Sequence, residues 1–300
     1  MSIRFGVSPI AWVNDDMPEL GGATPLATIL ADAQAIGFSG VELGGKFPRD
    51  PAALKPLLDG YGLALVGGWY SASLLERDAD AELAAARPHI DLLQAMGCRV
   101  FIHAETSNAI HGRIETPLAA TPRLDAAGWA RFGERLTRFA DAVAAEGLAF
   151  AYHHHLGTVV ERPDDLDAFL AATGPSVGLT VDTGHATGAG IDAAALIRAH
   201  PARVAHVHCK NVRPAVFDKV RGEGRSFLSG VLAGMFTVPG DGEGVDFAPV
   251  MQALADVGYG GWVIVEAEQD PAVADPRDFG ELGLATLRRA AAAAGLKETA

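Results

Sequence analysis

The sequence predicts a single domain with the fold of a (β/α)8 barrel, and two observations support this prediction. Segments typical of strands and segments typical of helices alternate eight times along the 300 residues, with no linker between them. Five helices also end at a glycine that is followed at once by an apolar residue opening the next strand. Glycine readily adopts the left-handed conformation that ends a helix, so this repeated join favours βα units wound in one direction and a parallel sheet. The joins are Ile36-Gly37-Phe38, Tyr61-Gly62-Leu63, Met96-Gly97-Cys98, Glu146-Gly147-Leu148 and Val257-Gly258-Tyr259.

Short apolar runs bounded by turn residues predict the eight strands. In chain order they cover Arg4–Ile10, Ser39–Gly44, Leu63–Tyr70, Arg99–Ala104, Leu148–His155, Val177–Asp182, Arg203–Asn211 and Gly261–Gln269. The predicted helices carry apolar residues at helical spacing and begin at Asp or Thr, often with Pro at the first position. Their starts lie near Thr24-Pro25, Asp50-Pro51, Asp80, Asp125, Pro163-Asp164, Asp192, Asp246 and Asp278.

The connection between the seventh strand and the seventh helix is unusually long. It covers about residues 211–245 and contains the apolar stretch Phe227–Phe236. Loops of this length in a compact domain usually cover or line a binding site, which favours a lid. The alternative is a surface excursion with a short helix of its own. The last part, Pro239–Gly244, has the composition of a turn cluster and not of a phosphate-binding loop.

Composition limits the partners of the chain. The formal net charge of −13 would repel a phosphate backbone, so we expect no binding to nucleic acid. No stretch is long and apolar enough for a membrane span, and the N-terminus lacks the apolar core of a signal peptide. The two cysteines, Cys98 and Cys209, lie on or beside predicted strands and suggest no disulfide framework. These features predict a cytoplasmic protein that binds a small molecule, and they leave a homo-oligomer open.

Ligand-type side chains stand at the ends of the last four predicted strands. The carboxyl ends of parallel strands meet at one face of a barrel, which is where barrel enzymes have their sites. Asp182, His208 and Glu266 would supply two carboxylates and an imidazole from three neighbouring strands, a set that suits a divalent cation with open positions. Buried carboxylates without a partner are costly, which favours a metal over three unrelated structural residues.

Side chains on a strand alternate between its faces, so His206 should point the same way as His208, and Glu268 the same way as Glu266. Several further residues have two interpretations. Glu42 either pairs with Lys46 or contacts substrate, and His185 either bonds backbone at a helix entry or supports the metal ligands. Four residues after the first strand could shape the pocket, and two in the fourth strand are equally structural or functional. These are Trp12, Asn14, Asp15, Asp16, His103 and Glu105.

Three segments resemble the xylose-isomerase-like TIM barrels, the superfamily of sugar isomerases, epimerases and dehydratases. They are Val181–His185, His206–Asn211 and Gly261–Asp270. Within this group the chain is similar to the inosose dehydratases. That similarity rests on Gly6–Trp12 with Asn14–Asp16, Gly40–Pro48, His153–Thr158 and Phe236–Gly242.

The resemblance implies dehydration of 2-keto-myo-inositol (scyllo-inosose) in inositol catabolism. It also implies a Co²⁺ or Mn²⁺ requirement, with glutathione as a further cofactor in some members. Asp182, His208 and Glu266 match the metal positions of the superfamily. The fourth ligand, a Glu on the fifth strand, is absent, and an alignment through Gly157-Thr158 puts Ala151 in its place. A ligand from that strand would then be His153 or His155, which share a face.

Dehydration next to a ketone requires a base for the α-proton and an acid for the leaving hydroxyl. The candidates are His153, His155, Glu268, Lys46 and Lys210, the two lysines being the expected contacts of substrate oxygens. A cyclic polyol ketone also needs a polar rim. The residues expected to bind it are Trp12, Asn14, Glu42, His185 and His206, together with Glu268.

Three other functions share parts of this pattern. A metal-dependent ketose isomerase or epimerase would use the same metal and enediolate without expelling water. A metal phosphodiesterase of the abasic-site endonuclease type shares the barrel and the Asp-x-x-His turn, but the net charge and the absent Glu argue against it. A non-catalytic sugar-binding barrel would bind inositol without a metal.

Overall fold

A computed structural model describes residues 2–299, and its strands and helices alternate as the sequence predicts. The strands are β1 (Ser2–Val7), β2 (Gly40–Leu43), β3 (Ala64–Ala72), β4 (Val100–Glu105), β5 (Ala149–His153), β6 (Val177–Asp182), β7 (Val204–Cys209), β8 (Asn211–Val212), β9 (Phe236–Thr237), β10 (Trp262–Val265) and β11 (Lys297–Glu298). β1 to β7 pair in sequence order, all parallel, and β10 pairs with both β7 and β1. This closes an eight-stranded barrel and confirms the predicted fold class.

Eleven α-helices surround or extend this barrel in the described part of the chain. They are α1 (Leu26–Ile36), α2 (Pro51–Asp59), α3 (Ala79–Ala95), α4 (Ala126–Ala145), α5 (Pro163–Ala172), α6 (Thr183–Ala189), α7 (Ala193–Ala199), α8 (Pro214–Gly222), α9 (Phe227–Leu232), α10 (Phe247–Asp256) and α11 (Pro276–Ala293). Aspartate side chains accept backbone N–H groups at most of the predicted helix starts, for example Asp50, Asp125 and Asp246. The glycines of all five predicted joins have positive φ, from 66° at Gly62 to 96° at Gly37.

The structure differs from the prediction in three places. α6 follows β6 directly, where the sequence predicts a glycine-rich turn with a helix entry at His185 as one interpretation. Four predicted strands end earlier, at Val7, His153, Cys209 and Val265, than the predicted ends Ile10, His155, Asn211 and Gln269. The first is followed by Pro9, which has no N–H for the sheet. The long connection contains α8, α9 and the antiparallel pair β8–β9. The role of this segment as a lid stays a prediction.

The long connection is tied to the barrel by an apolar cluster of its own. The long connection contributes most of the buried residues, and Met17, Leu118 and Leu156 from other connections complete the cluster. The buried members from the connection include Phe217, Val220, Phe227, Leu228, Val231 and Phe236. This packing holds the connection against the carboxyl face of the barrel.

Apolar side chains fill the barrel interior below the carboxyl face. Val66, Trp262 and Ile264 form one small cluster, and Val100, Ile102 and Ala151 form another. A larger cluster fills the layer between the strands and the surrounding helices. The barrel is therefore a packed scaffold that leaves only its mouth open for binding. Among residues 2–299, no helix combines the length and the apolar character needed to span a membrane.

Candidate active site at the mouth of the barrel

Asp182 is the last residue of β6 and also the N-cap of α6. Its Oδ1 accepts a hydrogen bond from the backbone N–H of His185 at 2.8 Å, which explains the Asp-Thr-Gly-His spacing. The glycine in this turn is required because a Cβ at Gly184 would lie 2.8 Å from Cγ of Lys210. The other oxygen, Oδ2, is buried and has no hydrogen-bond partner. The ammonium of Lys210 lies 3.6 Å from this oxygen, beyond hydrogen-bond distance. A buried carboxylate oxygen that accepts no hydrogen bond is costly, so the geometry fits a bound cation.

The side chains expected to bind a metal converge on this unpartnered oxygen. Nδ1 of His208 lies 3.7 Å from Oδ2 of Asp182 and 2.8 Å from Oε2 of Glu266. Ligand atoms of Asp182, His208 and Glu266 all lie within 4.8 Å of one another, and the three residues are buried. The structure thus brings together three residues that are far apart in the sequence, in an arrangement that could hold a divalent ion.

The fifth strand contributes His153 to the same place. Nδ1 of His153 donates to the carbonyl of His154 at 2.9 Å, which assigns a lone pair to Nε2. That Nε2 lies 3.6 Å from Oδ2 of Asp182 and 3.3 Å from Nδ1 of His208. Ala151, which the alignment put at the fourth-ligand position, instead lies deeper in the barrel among apolar residues. His153, two residues further along the same face of β5, stands beside Asp182.

Glu42 reaches the other side of His208. Its Oε1 accepts from Nε2 of His206 at 2.9 Å and from Nε2 of His208 at 3.0 Å. Burial by itself raises the pKa of Glu42, but His208 and the hydrogen bonds from both imidazoles outweigh this and hold the pKa below its usual range. Glu42 is therefore a carboxylate bound to two histidines, as expected from their positions on one face of β7. It does not pair with Lys46.

Lys210 lies beside the same cluster and is completely buried. Its Nζ is 2.6 Å from Oε1 of Glu266, 2.5 Å from Oε1 of Glu268 and 3.1 Å from Nε2 of His185. Burial would lower the pKa of Lys210, but the surrounding carboxylates, Asp182 first among them, raise it. Lys210 is therefore an ammonium ion that neutralises part of the negative charge of the site.

His155 lies next to His185, with ring centroids 3.7 Å apart. Nδ1 of His155 donates to the carbonyl of Leu156 at 2.7 Å, which leaves the lone pair on Nε2. Burial lowers the pKa of His155 well below its usual value, and the neighbouring His185 lowers it further. The imidazole is thus neutral at pH 7 and can accept a proton.

A cavity of about 120 Å³ opens beside this cluster, and the charged and imidazole groups that line it are Glu42, His153, His155, His208, Glu266 and Glu268. The opposite wall comes from the first four strands and their connections. It combines apolar residues with the two acids expected near the pocket, and includes Pro9, Ile10, Leu43, Trp69 and Ile102 together with Asp15 and Asp16. Sequence reasoning missed Trp69 and His111 in this lining. Trp69 lies near the carboxyl end of the third predicted strand, so the rule that located the acidic ligands could have found it. His111 lies in a loop without any pattern that marks it.

Lys210, His185 and His206 bond or pack against the lining residues without lining the cavity themselves, and three further predicted contacts lie away from it, which differs from the expectation for them. The ammonium of Lys46 is exposed and donates to the carbonyl of Gly22. The indole of Trp12 is buried and donates to Asp32 at 2.9 Å. The Asn14 side chain is also buried, and its Oδ1 accepts two backbone N–H groups of the following turn. Local hydrogen bonds direct all three side chains away from the site.

The two uncertain residues of β4 also face away from the mouth. Both ring nitrogens of His103 are buried without partners, and the ring packs against Phe150 with centroids 4.7 Å apart. Glu105 accepts the backbone N–H of Leu74 at 2.6 Å and that of Ser107 at 2.9 Å. These surroundings favour the structural interpretation of both residues.

Comparison with known proteins gives consistent relatives. The chain is 47% identical over 297 residues to the rhizopine catabolism protein MocC of Rhizobium meliloti, which covers 99% of this chain and 91% of that protein. It is 42% identical over 279 residues to the inosose dehydratase of Geobacillus thermodenitrificans strain NG80-2, which covers 92% of this chain and 93% of that protein. Several further inosose dehydratases match over more than nine tenths of the chain. The chain is accordingly a hydro-lyase.

The comparison with solved structures and the match to a family model identify the fold and the family. A xylose isomerase domain protein from Alicyclobacillus acidocaldarius superposes with a TM-score of 0.67 at 19% identity, covering 98% of this chain and 100% of the other. At this identity the likeness shows the fold alone. The model of a family described as "xylose isomerase-like TIM barrel" matches residues 30–292. The chain therefore belongs to the xylose isomerase-like TIM barrel family.

Proposed function

We propose that this enzyme removes water from 2-keto-myo-inositol (scyllo-inosose) with the help of a divalent metal, Co²⁺ or Mn²⁺, in inositol catabolism. One observation carries the proposal: the unpartnered, buried Oδ2 of Asp182 lies where His153, His208 and Glu266 converge. The match to inosose dehydratases supports the choice of reaction and substrate. A homo-oligomer and a cytoplasmic location are compatible with the proposal and are not needed for it.

The donor set fits such a metal. Two carboxylates and two imidazoles, whose inward nitrogens can bind a metal once His208 has lost its Nδ1 proton, suit Co²⁺ or Mn²⁺ and leave positions for substrate oxygens. Asp182, His208, Glu266 and His153 would hold the ion. When bound, it would act as a Lewis acid for the ketone oxygen, which becomes negative when an α-proton is removed.

His155 is the base in this proposal. Its neutral imidazole lines the cavity, and its tautomer is held by the Leu156 carbonyl. It takes the α-proton of the substrate at Nε2, and the negative charge of Glu268 favours the resulting imidazolium. The same imidazolium then gives its proton to the departing β-hydroxyl, so that one water leaves and a carbon–carbon double bond remains.

Lys210 and Glu268 orient the substrate and stabilise charge. The ammonium of Lys210 links Glu266 to Glu268, which keeps both carboxylates in place next to the cavity. Phe236 covers Lys210, with its ring centroid 4.8 Å from Nζ, and Phe227 packs against the ring of His155. These two residues of the long connection exclude water from the proton-transfer groups, which strengthens their electrostatic interactions.

The test is an assay of the purified protein, stripped with EDTA and reloaded with Co²⁺ or Mn²⁺, on scyllo-inosose. The expected result is formation of the ultraviolet-absorbing trihydroxycyclohexane-dione, dependent on the metal and measured with and without glutathione. Turnover of ketoses without any dione would instead support the isomerase or epimerase. Tight inositol binding that needs no metal and survives replacement of His208 would support a binding protein.

A second candidate is a step in the catabolism of rhizopine. It is favoured by the 47% identity to the rhizopine catabolism protein MocC, which exceeds the 42% identity to the dehydratase. The same assay decides between them if rhizopine is offered next to scyllo-inosose. Consumption of rhizopine by the metal-loaded enzyme, with no dione from scyllo-inosose, would favour this second function.

A further inference from the structure

We infer that Glu42 and His206 form a positioning pair that holds the His208 imidazole in the orientation needed to bind the metal. The inference rests on the metal-dependent function proposed above and assigns Glu42 a role other than the substrate contact expected from sequence. A carboxylate that accepts the second ring N–H of a metal-binding histidine fixes its tautomer and raises its basicity.

The arrangement spans the mouth of the barrel. Glu42 belongs to β2, whereas His206 and His208 belong to β7, and β1 and β10 lie between these strands. The two histidines occupy successive inward positions of β7, so a single carboxylate oxygen can accept from both rings at 2.9 and 3.0 Å. All three side chains are more than nine tenths buried. Water therefore competes little for these hydrogen bonds.

The direction of His208 follows from this contact. With Nε2–H donating to Glu42, the other ring nitrogen faces Glu266 at 2.8 Å and Asp182 at 3.7 Å. Rotation of the ring would break the bond to Glu42 and move Nδ1 away from both carboxylates. Glu42 thus acts on the metal through His208, and its negative charge favours a cation at Nδ1.

His206 has a separate part in the arrangement. It does not reach the group formed by Asp182, His208 and Glu266, but forms a second group with Glu42 and His208. Its N–H gives Oε1 of Glu42 a second donor, which keeps the carboxylate ionised and restricts its rotation. Removing His206 should therefore weaken the effect of Glu42 without abolishing it.

The experiment measures binding of Co²⁺ alone, without substrate, by its visible absorption and by calorimetry. Glu42→Gln keeps the size of the side chain and removes its charge, and we expect Co²⁺ to bind about 10–100-fold more weakly. His206→Leu should give a smaller loss, and His206→Gln, which retains an N–H donor, should bind more tightly than His206→Leu. The visible spectrum of the bound ion should also change in Glu42→Gln.

Glu105→Gln is the matched control. Glu105 is another buried glutamate at the end of a barrel strand, but it faces away from the mouth and accepts from backbone N–H groups and the Ser107 hydroxyl. The Glu105→Gln variant should bind Co²⁺ with the same affinity as the unmodified protein. Thermal unfolding in EDTA identifies any variant that fails to fold. If Glu42→Gln does not fold, the comparison of His206→Gln with His206→Leu, which both keep Glu42, still tests the positioning role.

The outcomes separate this inference from the proposed function. If the unmodified protein binds Co²⁺ and Glu42→Gln binds it within twofold, the positioning role is wrong while the metal site stands. The same holds if Glu42→Gln raises KM for scyllo-inosose with unchanged Co²⁺ affinity, which is the behaviour of a substrate contact. If the unmodified protein binds no Co²⁺, the metal site and this inference both fail.

Discussion

Histidines are buried both at the mouth of the barrel and in the layer between its strands and helices, but their surroundings differ between the two regions. At the mouth, His153 and His208 lie within 4 Å of carboxylate oxygens and of each other. In the outer layer, His103 lies among aromatic rings, with Tyr152 edge-on at 5.0 Å and no hydrogen-bond partner for either nitrogen. Burial lowers the pKa of His103 to about 3, so this residue is neutral.

The difference shows that burial of an ionisable side chain is not by itself a sign of function. Around the mouth, opposite charges alternate along Glu42, His208, Glu266, Lys210 and Glu268, and the pKa of His208 lies well above its usual value. Burial would in fact lower that pKa, and Glu42 and Glu266 reverse its effect. Convergence of charged groups on one point, which the outer layer lacks, is the feature that indicates a site.

The largest effect is expected for Asp182→Asn. The amide keeps a cap for α6 but loses the charge at the unpartnered oxygen, so Co²⁺ binding should be lost and kcat/KM should fall by about 10³-fold or more. Asp192→Asn is the control, because Asp192 caps α7 with a bond of 3.0 Å from Ala195 and lies outside the charged cluster. Equal losses in both variants would mean that Asp182 matters only as a helix cap.

His155→Gln should have the next largest effect. Without the imidazole no neutral base faces the α-proton, and we expect kcat to fall by about 10²–10⁴-fold. Co²⁺ affinity should stay within about threefold, because the proposed ligand on this strand is His153. Steady-state kinetics together with Co²⁺ titration check both values. Loss of the metal together with activity would place His155 among the ligands and contradict the assignment.

His103→Phe tests the outer layer through stability. Since the pKa of His103 is about 3 in the fold and 6.5 in the unfolded chain, only the unfolded chain takes up a proton as the pH falls below 6.5. The folded protein is destabilised as a result, by about 2 kcal/mol between pH 7 and pH 5. Between pH 7 and pH 5, the free energy of unfolding measured in urea should therefore fall by about 2 kcal/mol less for His103→Phe than for the unmodified protein.

Activity and Co²⁺ affinity of His103→Phe at pH 7.5 should equal those of the unmodified protein within about twofold, since the residue faces away from the mouth. Parallel stability curves for the two proteins would show that His103 does not titrate as its burial requires. A loss of Co²⁺ affinity would show that the two regions are coupled.

The smallest effect is expected for Lys46→Met. Its exposed ammonium contacts only the Gly22 carbonyl, so kcat and KM should change by less than about twofold and stability by less than about 0.5 kcal/mol. Kinetics on scyllo-inosose and urea unfolding measure both. A tenfold rise in KM would show that the loop around Lys46 closes over the substrate.

Much of the barrel was predictable because its signals are local. A glycine with positive φ ends each of the five helices that the sequence marked, and an apolar run follows each one. Asp182, His208 and Glu266 were also predictable, since a strand end fixes both the position and the face of a side chain.

Residues in the connections were harder to predict, because their directions depend on hydrogen bonds with distant segments. Trp12 turns towards Asp32 of α1, and Lys46 turns towards Gly22; neither contact has a sequence pattern. The position of His153 beside Asp182 depends on the register of β5 against β6, which no local pattern gives. The seven residues of α6 were also hard to predict, because its glycines are unfavourable in an isolated helix.

One side chain, Asp182, belongs both to the proposed cation site and to the first turn of α6. Oδ1 holds the His185 amide and Oδ2 faces the convergence point, so the two oxygens of one rigid group are mechanically linked. Ion loading and the order of α6 should therefore stabilise each other. Amide hydrogen exchange at His185 is expected to slow when Co²⁺ is added, which would make this turn an internal reporter of occupancy.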